Sequence, residues 1–346
     1  MTKVRVGIVG LGRLGQLHAE NLAKKIPNAT LVAACSLSEE SLHYAKNELG
    51  VQETYKNFEE MITSPNLDAV CIVSPSGYHT KQICQAMEKG LHVFCEKPIG
   101  LDVDEIEKTI TVIDRHPDQV FHLGFMRRYD ESYRYAKQMV EEGKLGELTL
   151  IRSYGMDPAS QFTGFVKFAT ASESGGIFLD MGVHDIDLIR WFSNSEVKKV
   201  WSLGVNKAYP ELDQLNEMET AAAMMQLENN TIAILAVGRN APHGYHVETE
   251  LIGTKGMLRI AAAPEKNLVT VFDESGVIRP TFQSFQERFA RAFHNELEEF
   301  INCILENRRP SVTARDGLQA TKVAIACQTS FKTQEVMEVE KLFVKK

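Results

Sequence analysis

The 346-residue sequence predicts a two-part α/β chain: a doubly wound Rossmann domain over residues 1–125, then an α+β domain over 126–346 with a large open, mainly antiparallel sheet. Three observations predict it. Up to residue 125, short apolar β-branched runs alternate with helical patterns, as in a parallel sheet covered on both faces. A glycine-rich turn follows the first run. Beyond residue 125, strand-like runs follow one another without helices between them, as in an antiparallel sheet.

In the first part the expected strands are Val4–Val9, Thr30–Cys35, Ala69–Val73, His92–Cys95 and Val120–Leu123. A helix over Ser132–Glu142 then leads into a strand over Leu148–Tyr154, and a helix carries GGIFLDMGVHDIDLIRW, residues 175–191. Strands follow at Lys199–Val205, Thr220–Leu227, Thr231–Gly238, Val247–Ile252 and Gly256–Ile260. Two helices, Gln286–Glu306 and Arg315–Lys332, close the chain, and the last can return to the first domain.

A net charge of -8 argues against a nucleic-acid partner, which calls for a basic face to displace phosphate counterions. Apolar runs such as Leu67–Val73 are too short to span a bilayer. The N-terminus enters a strand pattern with no charged-then-apolar leader, so a cytoplasmic protein without a membrane partner is expected. The six cysteines are scattered without a CxxC pair and read as reduced, buried small hydrophobes.

Gly10-Leu-Gly12-Arg13-Leu14-Gly15 ends the first strand and opens a helix. Gly10 permits the tight turn, Gly12 lets backbone approach a pyrophosphate, and Gly15 lets helix and strand pack closely, which is the pattern of a dinucleotide site. At the end of the second strand, where NAD sites usually place an acid, stands Ser36. NAD is the expected cofactor, because no Arg or Lys occurs in Ser36–Glu40, and NADP use stays open because the acid is missing. Phe94-Cys95-Glu96-Lys97-Pro98 ends the fourth long strand, at the sheet edge where open α/β folds bind ligands. In the 175–191 segment, Asp180 and His184 stand one helical turn apart, Asp187 shares their face and Asp185 reads as an ordinary surface acid. Taken as a ligand pair, Asp180 and His184 need a third ligand, and Lys97 would repel a cation, so no metal is expected.

GxGxxG, Glu-Lys-Pro at the fourth strand and a GG…D…H segment in the second part resemble the Gfo/Idh/MocA family of sugar and polyol oxidoreductases. Gly124-Phe-Met-Arg127-Arg128-Tyr129-Asp130, Tyr133 and Gly176–Asp187 are similar to its inositol dehydrogenase subgroup. The resemblance implies NAD-dependent oxidation of a secondary hydroxyl, with myo-inositol and its 2-keto product first among substrates. Scyllo-inositol, a glucose-type sugar and a non-catalytic dinucleotide-binding regulator stand as alternatives. It also implies that Lys97, Asp180 and His184 are catalytic. An imidazole is chemically suited to accept the hydroxyl proton, Asp180 to orient and stabilise it, and Lys97 to hydrogen-bond the reacting oxygen. The sequence does not separate this from the reverse sharing, with Lys97 as the base.

Implied cofactor contacts are Gly10, Gly12, Arg13, Leu14, Gly15, Ser36, Ser74, Pro75, His79, Glu96 and Lys97. Implied substrate contacts are Lys97, Arg127, Asp157 (a position where relatives carry Asn), Asp180, His184 and Tyr245 or its neighbour His243. Asp187 is implied as support, and Arg128 and Tyr129 as packing or capping groups. An open antiparallel sheet leaves an apolar face to bury, so a homo-oligomer is expected, and the resemblance implies a tetramer.

Overall fold

A computed structural model describes residues 3–171, 175–215 and 217–344. The chain divides into two compact units, the first made of 1–129 with 291–318 and the second of 130–290 with 319–346.

In the first unit, β1 (Val4–Val9), β2 (Ala29–Cys35), β3 (Glu53–Tyr55), β4 (Ala69–Ile72), β5 (His92–Glu96) and β6 (Phe121–Gly124) form one parallel sheet in the order β3-β2-β1-β4-β5-β6. This is the doubly wound dinucleotide-binding order. The helices between strands are α1 (Arg13–Glu20), α2 (Glu39–Glu48), α3 (Phe58–Met61), α4 (His79–Glu88) and α5 (Val103–Asp114). Three start where a short polar side chain accepts first-turn N–H groups: Ser38 for α2, Asn57 for α3 and Asp102 for α5. β4 is buried along its whole length, as its unbroken apolar run requires. The core of Val4, Val6, Ile8, Leu31, Cys71 and Phe94 is completed by Leu297, Phe300 and Ile301 from the far end of the chain.

The second unit begins with α6 (Glu131–Glu141), capped by Asp130, whose Oδ1 accepts from the N–H groups of Ser132 and Tyr133. Its sheet contains β7 (Leu148–Pro158), β8 (Val197–Val205), β9 (Thr220–Leu227), β10 (Ile232–Ala241), β11 (His246–Gly253) and β12 (Met257–Ile260). A hairpin, β13 (Val271–Asp273) and β14 (Gly276–Ile278), stands apart, and β15 (Met337–Glu338) closes the sheet order β12-β11-β7-β10-β9-β8-β15. All pairs in this order are antiparallel except β7 with β10, which run parallel. Before the sheet's middle strands come α7 (Phe162–Ala171), α8 (Ile177–Asp180) and α9 (Val183–Ser193). The closing helices are α10 (Phe285–Leu305), kinked at Phe289, and α11 (Ala314–Thr333). No described helix is long and apolar enough to cross a membrane.

One expected helix differs. The segment over residues 175–191 is two helices, interrupted at Met181 and Gly182. Gly175 and Gly176, at φ 79° and 86°, adopt the left-handed backbone that glycine alone takes cheaply, and they set the start of α8.

Candidate active site

The carboxyl ends of β1, β2, β4 and β5 lie along one edge of the parallel sheet, so Gly10, Ser36, Ser74 and Lys97 emerge together. Gly10 has φ 88°, and a Cβ there would lie 2.4 Å from the Val73 carbonyl. A Cβ on Gly15 would sit 1.8 Å from the Gly10 carbonyl oxygen, so the helix cannot approach the strand with any other residue. Gly12 is the opposite case, with nothing within 4 Å of a Cβ. It caps α1 without a side chain, and no acid stands in the first turn, so the helix end is open to an anion. Arg13 is exposed and Leu14 half-buried beside it. These residues fit a dinucleotide.

Ser36 donates its N–H to the Tyr55 carbonyl, and its hydroxyl accepts from the Ser38 N–H at 3.1 Å. After β4, Ser74 donates to Gln82 at 2.6 Å and Pro75 is exposed. The ring of His79 is buried, with one nitrogen 2.7 Å from the Ser74 carbonyl and the other 2.7 Å from that of Pro98. Burial holds its pKa below the ordinary imidazole value. His79 therefore ties the β4 loop to the turn after Lys97 and keeps its ring in the core. Glu96 is likewise turned inward, with one oxygen 2.7 Å from His18 Nε2 and the other accepting the Lys97 N–H at 3.1 Å. Lys97 itself is half-buried at the strand end. Arg127 is buried in a 3-10 turn over Met126–Tyr129. Arg128 pairs with Asp316 at 3.0 Å and Tyr129 is buried with its hydroxyl 3.3 Å from Ser311, so both hold structure.

In the second unit the centre of the arrangement is a residue the sequence did not single out. Arg239, 3% exposed near the end of β10, donates to Asp180 Oδ2 at 2.8 Å and lies 3.9 Å from Asp157 Oδ2. Its guanidinium stacks over Phe165, 3.4 Å from the ring centroid. The two carboxylates keep 30% and 26% of their side-chain surface exposed while the cation is covered. They are thus held by one buried cation while part of each carboxylate stays at the surface. Adjacent registers explain the meeting: Gly238 on β10 faces Met156 on β7, which brings Arg239 beside Asp157. Glu219 steadies the same strand end by accepting from Asn240 Nδ2 and from the N–H groups of Lys207, Ala208 and Tyr209.

His184 lies in the first turn of α9, after the break. Asp180 is therefore not one turn behind it on a continuous helix, and it accepts from Arg239. Asp185 is no surface acid: it is 1% exposed and accepts from Ser153 Oγ at 2.6 Å, in a buried chain that continues through Thr249 to the Tyr133 hydroxyl. Asp187 is also buried, 3.9 Å from Arg190, which Glu196 grips through two bonds of 2.7 Å. Tyr245 is 5% exposed and edge-on to Phe289, whereas His243 is exposed, 3.1 Å from His246.

Residues 4–125 match an oxidoreductase family with an NAD-binding Rossmann fold, and residues 133–259 match the GFO/IDH/MocA C-terminal domain. A myo-inositol 2-dehydrogenase of Thermotoga maritima is 31% identical across 98% of this chain and 99% of its own. The chain belongs to the Gfo/Idh/MocA family of oxidoreductases. Within that family, a crystal structure of scyllo-inositol dehydrogenase from Lactobacillus casei, with bound cofactor NAD(H) and scyllo-inositol, is 58% identical. It covers 98% of this chain and 100% of its own, with a TM-score of 0.96. A myo-inositol 2-dehydrogenase from Lactobacillus plantarum has the same TM-score at 47% identity, over 97% and 99% of the two chains.

Proposed function

We propose that this Gfo/Idh/MocA oxidoreductase is an NAD-dependent inositol dehydrogenase. The observation that carries the reading is the full-length likeness to a structure holding NAD(H) and scyllo-inositol, in a chain that carries Lys97, Asp180 and His184 where the motifs place them. The nicotinamide supplies the hydride acceptor. Gly10, Gly12, Arg13, Leu14, Gly15, Ser36, Ser74 and Pro75 hold the dinucleotide, with Glu96 and His79 shaping the site from beneath. His184 accepts the hydroxyl proton on its ring, Lys97 hydrogen-bonds the reacting oxygen, and the Asp157–Arg239–Asp180 group receives ring hydroxyls. Arg127 and Tyr245 complete the polyol contacts, and Asp187 braces the helix of His184.

Myo-inositol is the first substrate and scyllo-inositol the second reading, favoured by the 58% neighbour. The isomers differ in the orientation of one hydroxyl. Oxidation at that carbon gives the same ketone from both, so selectivity rests on which face of the carbon offers its hydrogen. NAD is favoured over NADP because no Arg or Lys stands in Ser36–Glu40 to attract a 2′-phosphate, and Lys56 nearby is paired with Glu39. A cytoplasmic homotetramer completes the reading, supported by an exposed apolar row on the second sheet, Trp201, Met224 and Ile232.

Initial rates with NAD and NADP on myo-inositol, scyllo-inositol and glucose test it, and a lack of cofactor reduction by every polyol would overturn it. Lys97→Ala should lower kcat by about a hundredfold or more while NADH affinity, read by fluorescence, changes little.

A further inference from the structure

Three titratable side chains of the first unit meet in its core. His18 on α1, Glu96 at the end of β5 and Glu296 on α10 are 0%, 4% and 0% exposed, and one polar atom from each lies within 4.8 Å of the others. Around them stand aromatic rings, with Phe94 and Phe293 both edge-on to His18. Glu96 is gripped at both oxygens, by His18 Nε2 at 2.7 Å and by the Lys97 N–H at 3.1 Å. Gly124 closes the cluster from the neighbouring strand, where a Cβ would lie 3.1 Å from the Glu96 carboxyl carbon. Glu96 is thus held at both oxygens, and the peptide that leaves β5 towards the Lys97 side chain donates to it.

Glu296 differs, because neither of its oxygens has a hydrogen-bond partner among the described residues. A carboxylate in that position would be a second negative charge in apolar surroundings, with no hydrogen-bond donor to it among the described residues. Burial, and then the charge of Glu96, raise its pKa well above the ordinary carboxyl value. The other titratable groups that feel its charge are Cys71 on β4 and Tyr129. Glu299, one turn along α10, is committed to Arg308 through bonds of 2.6 and 2.8 Å. A neutral acid carries an O–H donor, which can serve the His18–Glu96 pair at no charge cost.

We propose that His18, Glu96 and Glu296 form a buried brace that positions Lys97, with Glu296 working as a neutral carboxylic acid. The inference rests on the reading of Lys97 as a catalytic group. Glu296 touches no reactant, so it is a positioning residue acting through Glu96 and the Lys97 peptide.

Glu296→Gln keeps the shape and a donor, and Glu296→Leu keeps neither donor nor acceptor. The expected result is that Gln retains kcat within about threefold, whereas Leu loses about tenfold or more in kcat with NADH affinity unchanged. Two readouts do not depend on turnover or on the Leu variant. The infrared spectrum of the wild-type protein near neutral pH should show a protonated-carboxyl band that is lost in Glu296→Gln. The rate at which an amine-selective reagent labels Lys97, followed by peptide mass spectrometry, should match wild type in Gln and differ in Leu, with Lys56 as the unaffected control. A missing infrared band, a Gln variant as impaired as Leu, or a stoichiometric metal lost on Glu296→Gln would each overturn the proposal. Wild-type protein that oxidises no polyol but shows the band and the labelling pattern would instead overturn the dehydrogenase reading and leave the brace standing.

Discussion

Arg239 holds two carboxylates from a buried position. Removing its charge while keeping its length, as in Arg239→Met, should leave Asp180 and Asp157 repelling one another without the cation between them. The expected outcome is a fall in kcat/KM for inositol of about tenfold or more, carried mainly by KM, with NADH binding unchanged. Glu296 gives a second residue-scale test through its linkage to pH. Its folded pKa lies above the ordinary 4.5, so the folded state binds more protons than the unfolded one over the interval between the two values. Stability from this group is complete below pH 4.5 and is lost as pH rises towards the folded value, at about 1.4 kcal/mol per pH unit. Denaturant titrations should show Glu296→Gln gaining on wild type as pH rises above 4.5, and a difference constant with pH would contradict the assignment.

At the scale of elements, the parallel strands were legible because buried strands are written as short unbroken apolar runs, and the glycine turn because each glycine answers a separate steric demand. Gly15→Ala tests the second point. The Cβ would fall 1.8 Å from a backbone oxygen that no rotamer change can move, so α1 must shift off β1. The variant should lose about 2 kcal/mol or more of stability, read by denaturation, together with most of its NADH affinity. Other elements were not legible. The three-residue edge strand β3 and the exposed hairpin β13–β14 bury too little to leave a pattern. The break at Met181–Gly182 is hidden because apolar residues continue through it, and α7 lies in a stretch with no polar period. Lys97, Asp180 and His184 are proposed from motifs of contiguous residues. Arg239 is not, since its partners sit 59 residues away in α8 and across a strand register that the sequence does not write down. Asp185 failed for a related reason: polarity alone does not tell a solvated acid from one buried against Ser153.

For the whole molecule, the second sheet presents a face that water covers poorly. Trp201 on β8 pairs with Met224 on β9, which pairs in turn with Ile234 on β10, and Trp201, Met224 and the nearby Ile232 are 39%, 53% and 47% exposed. A closed assembly of identical chains is the economical cover for such a surface. Light scattering should give a tetramer mass for the wild type and a smaller species for the Trp201→Lys, Met224→Lys double variant. A double variant with unchanged mass would place the interface elsewhere.

The return of the chain at residue 291 has a consequence for the order in which the protein is made. Residues 1–129 contain every strand of the parallel sheet, yet Leu297, Phe300 and Ile301 belong to the core under that sheet, and Glu296 to the brace beside Lys97. A ribosome delivers those residues only after all of β7 to β14. The first unit therefore waits, with apolar surface and the His18–Glu96 pair uncovered, while the second is synthesised. The unit with the parallel sheet is begun before the second unit and completed only after most of the second unit has been made.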